Sequence, residues 1–107
     1  MVEIPLEAMP NQELQTTLGE QDCTLQVRQI GKFIYLSLWI EQTLIRQNSI
    51  CMPSTAIIQG RSTFSGNLFM VDTSADFYHQ TNPDYTELGS RYKLLYLTDA
   101  EVAEYEL

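Results

Sequence analysis

The chain has one histidine and two cysteines, and that scarcity removes several kinds of chemistry at once. A zinc site wants three or four Cys or His ligands at characteristic spacing, and Cys23, Cys51 and His79 contain no C-x-x-C pair. Two cysteines are too few for a disulfide scaffold. Bases are also scarce, 6 Lys and Arg against 14 Asp and Glu, for a formal charge of -8. A surface of that sign repels phosphate backbones, which argues against a general nucleic-acid binder. No apolar run approaches the roughly 20 residues of a membrane span. Residues 1–12 lack the basic start and apolar stretch of a signal peptide, so the chain is expected to fold in a reducing cytoplasm with both thiols free. The phosphate-binding and nucleophile-elbow patterns G-x-x-x-x-G-K-S/T, G-x-G-x-x-G and G-x-S-x-G are missing.

What remains is one domain's worth of chain, 107 residues, 44% hydrophobic and 19% charged, a globular composition. The clearest segment is Phe33–Ile40, whose even positions are Ile34, Leu36, Leu38 and Ile40 and whose odd positions are Phe33, Tyr35, Ser37 and Trp39. Side chains alternate across a strand, so one face is aliphatic and the other aromatic. Residues 23–28 alternate apolar and polar, Gly31-Lys32 suits a hairpin link, and the extended pattern resumes from Leu44 to Cys51. These predict an antiparallel meander over residues 22–52, ended by Pro53. Further strands are expected at Val2–Leu6, Glu13–Leu18, Leu68–Val71 and Arg91–Leu97. Thr98-Asp99-Ala100-Glu101 has the form of a capping box and predicts a short C-terminal helix. The fold class is all-β, a small antiparallel sandwich or barrel with one terminal helix, in a single domain spanning residues 1–107.

Catalytic readings are thin. His79 with either cysteine would make a dyad only if a strand-borne thiol were something other than core. Asp72 with Asp76, or Asp84 with Glu87, could be a glycosidase pair by count, but a solvated acidic loop explains them better. No metal or other cofactor is expected. Phe33, Tyr35 and Trp39 could stack bases as in oligonucleotide-binding barrels, with Arg28, Lys32 and Arg46 nearby. The net charge favours the other reading, in which a second sheet or a neighbouring subunit covers that face. The loop holding Phe77 and Tyr78, with Tyr85 beyond it, offers further aromatic anchors for a partner.

Two stretches resemble a known family. Ile4-Pro5-Leu6, Ala8 and Pro10-Asn11-Gln12 form the first; Leu88-Gly89, Arg91-Tyr92, Leu94-Leu95-Tyr96-Leu97-Thr98 and Glu101 form the second. Together they are similar to the small baseplate plug proteins of contractile-tailed bacteriophages, cyanophages included. The resemblance implies a structural virion protein made in the host cytoplasm, without enzymatic activity or cofactor. It implies a central place in the tail baseplate, several copies around the tail axis, and contacts with the hub, the tail-tube end or an initiator protein. It implies no specific nucleic-acid binding and no membrane. Ile4, Pro5, Leu6, Phe33, Tyr35, Trp39, Phe77, Tyr78 and Tyr85 are the candidate interface. The alternative is a stand-alone β-barrel module that binds an oligonucleotide or small ligand.

Overall fold

Alternation and turn chemistry are realised as two packed antiparallel sheets. The computed structural model describes residues 1–52, 55–59, 62–73 and 83–104. The larger sheet is a meander of β2 (Asn11–Leu18), β3 (Gln21–Ile30), β4 (Phe33–Ile40) and β5 (Thr43–Ile50), in that order. The smaller sheet has β1 (Val2–Ile4), β7 (Tyr92–Leu97) and β6 (Asn67–Asp72), with β7 central. The two sheets remain separate among the described residues, so the sandwich is the form taken, not the closed barrel. Pro53 lies outside the described residues.

Each hairpin of the larger sheet turns on two residues. Gly19 and Glu20 both have positive φ, 56° and 64°, the requirement of a type I′ turn that matches the twist of the strands it joins. Gly31-Lys32 and Glu41-Gln42 complete the meander. Register follows from these turns, and it brings Leu25, Val27, Ile34, Leu36 and Leu38 onto one face, all nearly inaccessible to solvent. They share one core with Ile4, Leu68, Met70, Tyr92, Leu94 and Tyr96 of the smaller sheet. Ile40, expected in that core, is only partly buried and packs at its margin.

β1 pairs with β7, Ile4 opposite Leu94, so the two ends of the chain are joined in one ladder. The capping box forms as its residues predict: the Thr98 backbone N–H donates to Glu101 Oε1 at 3.0 Å, and the Glu101 N–H donates to Thr98 Oγ1 at 3.3 Å. The helix that follows, α1 (Asp99–Glu104), lies against β7. The N-terminal ammonium of Met1 and the Thr98 N–H hold the Glu101 carboxyl below the usual carboxylate range.

Candidate interface

The family-like stretches at the two ends prove to be architecture. In the first, Gln12 folds its side-chain amide against the backbone of Glu7, accepting from the Glu7 N–H at 3.0 Å and donating to the Glu7 carbonyl at 2.7 Å. That pair fixes the loop between β1 and β2 and aligns the chain for pairing, which begins at Asn11, the first residue of β2. Ile4 is 2% exposed and Leu6 8%, which corrects their assignment to an interface: both side chains belong to this chain's own core, and only Pro5 of that trio is at the surface.

In the second stretch, Arg91 grips Asp72 bidentately. Its Nε and Nη2 donate to the two carboxylate oxygens, each at 2.9 Å, while Nη1 reaches Glu87 at 3.3 Å and the guanidinium lies 5.0 Å from the Tyr92 ring centroid. The Asp72 side chain is 3% exposed, and the Arg91 fork supplies charge-assisted bonds to both of its oxygens. Asp84 caps the short 3-10 turn Tyr85–Glu87, accepting from the Thr86 N–H at 3.0 Å and the Thr86 hydroxyl at 2.8 Å, and these bonds hold its carboxyl below the usual range. Asp72, Asp84 and Glu87 are thus engaged in structural contacts. Asp76, Phe77, Tyr78 and His79 lie outside the described residues. No cluster of three or more His, Cys, Asp or Glu suited to a metal occurs among the described residues, and no described helix is long and apolar enough to cross a membrane.

Cys23 and Cys51 are free and buried. Burial raises both thiols, Cys51 to about 12. A thiolate is the reacting species, so a disulfide-exchange reagent at neutral pH should label neither cysteine in the folded protein and both in denaturant. Rapid labelling of the native chain would show that one strand end opens readily.

The aromatic face is where apolar surface remains. Phe33, Tyr35 and Trp39 point away from the core and are half-buried. Their direct cross-strand partners include Ile30, Ile50 and Leu44, respectively 48%, 41% and 45% exposed, with Arg28 opposite Tyr35 and Thr24 opposite Trp39 on the β3 side. The smaller sheet packs on the opposite side and α1 lies on β7, so neither covers this face. Sequence reasoning found the aromatics; it did not find the three aliphatics, because pairing decides that they stand opposite. Tyr85 is also half-buried, its ring against the core and its N–H donating to Gln29 Oε1 at 2.9 Å.

Two of the three cations near the aromatics, Arg28 and Arg46, are engaged by the protein's own oxygens, and Lys32 is exposed in the β3–β4 turn. Arg28 Nη2 donates to Asn48 Oδ1 at 2.7 Å, and Arg46 donates to the carbonyls of Ile45 at 2.7 Å and Gln59 at 3.0 Å. Asn48 sits at φ 52°, where Gln47 and Asn48 together oppose Ser37 in a bulge, and its N–H donates to the buried Ser37 hydroxyl at 2.9 Å. The β4–β5 strip of this face is therefore apolar, beside the polar positions Thr24, Gln26 and Arg28 of β3, and its nearest guanidiniums are held by the protein.

Residues 1–99 match the family described as Cyanophage baseplate Pam3 plug gp18. No curated protein matches the chain.

Proposed function

The chain belongs to the cyanophage baseplate plug family, a structural component of the phage tail baseplate, and on that premise we propose where it sits and how it acts. It occupies the centre of a contractile-tail baseplate near the hub and the end of the tail tube, in several copies around the axis, after synthesis in the host cytoplasm. It works by subunit contacts, without catalysis. The family match over residues 1–99 carries the reading. The face of Phe33, Tyr35 and Trp39, which neither the smaller sheet nor α1 covers, supplies the principal contact in it, with Pro5, Tyr85, Phe77 and Tyr78 as outlying anchors.

Charge is consistent with that place. A wall past which DNA leaves the particle must not hold phosphate, and an excess of eight negative charges repels a duplex within a Debye length of about 8 Å at physiological salt. The isolated protein should therefore give no gel shift with duplex DNA, and mass spectrometry of purified virions should find it with the hub and tube-end proteins. Tight, steeply salt-dependent DNA binding by a chain absent from virions would replace this reading with the binding module.

A further inference from the structure

A sheet edge is a row of unsatisfied backbone groups, and proteins normally blunt it. Three of the four edges in this sandwich are blunted. β1 is three residues long and is followed by Pro5. β6 is flanked by a bridge from Ala56 and by the Ile57 N–H donating to the Leu68 carbonyl at 2.9 Å. β5 is broken by two register shifts, at Leu36/Leu38 and at Leu38/Trp39. Among the described residues β2 is not short, bulged or bridged along its outer side, and Pro10 just ahead of it lies on the parity that faces β3. β2 pairs with β3 through eight consecutive positions without a bulge.

The turn determines which β2 groups face outward. A two-residue turn makes Leu18 and Gln21 a hydrogen-bonded pair, and such pairs alternate along an antiparallel ladder. Pro10 obeys the same parity, its carbonyl accepting from the Gln29 N–H at 2.9 Å. Asn11, Glu13, Gln15 and Thr17 therefore direct their N–H and C=O groups away from β3, and no backbone hydrogen bond among the described residues reaches them.

We propose that the β2 edge receives an extended, Lys- or Arg-bearing segment of a neighbouring baseplate protein as a fifth strand, hydrogen-bonded to Asn11, Glu13, Gln15 and Thr17. Charge selects the occupant. Residues 1–22 contain five acids and no Lys or Arg, and of these Glu7, Glu13, Glu20 and Asp22 lie on β2 or its flanking loops and the start of β3. Inward from the edge, a shallow depression lined by Glu13, Thr24, Gln26, Trp39, Glu41 and Gln42 offers two carboxylates and an indole to a basic side chain. A second copy fits poorly, because β2 against β2 would bring together the same acids on two chains each of charge -8.

This inference rests on the baseplate reading, and one competition experiment separates the two. Wild-type and variant chains are co-expressed during infection, and their ratio in purified virions is compared with that in the lysate by peptide mass spectrometry. Gln15→Pro removes one outward N–H and leaves the β2–β3 ladder intact; its virion ratio should fall at least about tenfold, as expected for an unpaired buried carbonyl in the partner. Gln15→Ala should enter virions at the lysate ratio, and Glu13→Lys should be depleted like the proline variant. Equal incorporation of a folded Gln15→Pro chain overturns the edge, and normal incorporation of Glu13→Lys overturns the basic partner. If the proline variant melts at growth temperature, Glu13→Lys decides by itself, since it leaves the backbone untouched. A wild-type chain that sediments as a dimer and is dissociated by Gln15→Pro would assign the edge to a second copy instead. Absence of the wild-type chain from virions would sink the baseplate reading, not the edge geometry.

Discussion

Replacing Leu36 by Ala is expected to destabilise the protein by about 2–5 kcal/mol, the range for truncating a fully buried leucine. Leu36 is 0% exposed and sits in the interior strand β4, opposite Val27 and between Ile34 and Leu38 on the same face. The cost is set by how far the surroundings can collapse, and here they can collapse little. β3 and β4 are held in register over eight pairs by the Gly31-Lys32 turn, and the far wall is the smaller sheet with Leu94 and Met70, each 0% exposed. Domains of this kind are stable by roughly 5–15 kcal/mol, so one such substitution removes a large share. Urea unfolding should show a lower midpoint at unchanged slope. Leu44→Ala is the control: Leu44 is 45% exposed, and its truncation should stay within about 0.5 kcal/mol. A loss at Leu36 below about 1 kcal/mol would mean that β4 does not line the core.

The legible parts of this fold were those with local causes. The strict alternation of Ile34, Leu36 and Leu38 with aromatics places β4 without any knowledge of its neighbours, and Gly31-Lys32 between two alternating runs places a hairpin. Thr98 and Glu101 show their cap because both partners lie within one turn. What could not be read is whatever depends on pairing across distance. Nothing near Ile4 says that it faces Leu94, and so an apolar residue in a short exposed-looking segment was assigned to an interface when it is core. Nothing near Asp72 says that Arg91 will neutralise it. The candidate interface divides along the same line. Its aromatics follow from the period of one strand, whereas Ile30, Leu44 and Ile50, which complete the apolar surface, depend on register with the two flanking strands. The two bulges of β5 also lack a local signature: Asn48 at positive φ is compatible with many turns, and only the mismatch between Leu36–Ser49 and Leu38–Arg46 shows the extra residue.

Pairing across distance also explains why the two family-like stretches occur together, and it underlies the other large expected effect. Leu6 lies in the first stretch and Gly89 in the second, and their backbones approach each other there. Gly89 has φ 82°, and a Cβ built on it would overlap the Leu6 carbonyl oxygen. The Gly89 N–H meanwhile donates to the Tyr92 carbonyl at 2.8 Å, which fixes the bend just ahead of β7. Neither side can yield easily: Leu6 is anchored in the core, Gln12 clamps the loop after it, and the obstructing atom is backbone. Gly89→Ala should therefore cost about 2–5 kcal/mol, from about 1–2 for a left-handed alanine and the rest from overlap in a packed site. Gly31→Ala separates the two contributions. Gly31 has φ 63° but nothing within 4 Å of its built Cβ, so its replacement should cost only the conformational part, about 1–2 kcal/mol. Hydrogen exchange should localise the additional loss, with protection falling in Val2–Ile4 and the facing positions of β7 for the Gly89 variant and not for the Gly31 variant. Equal losses at the two glycines, with β1 still protected, would show that the Leu6–Gly89 approach does not hold the ends of the chain together.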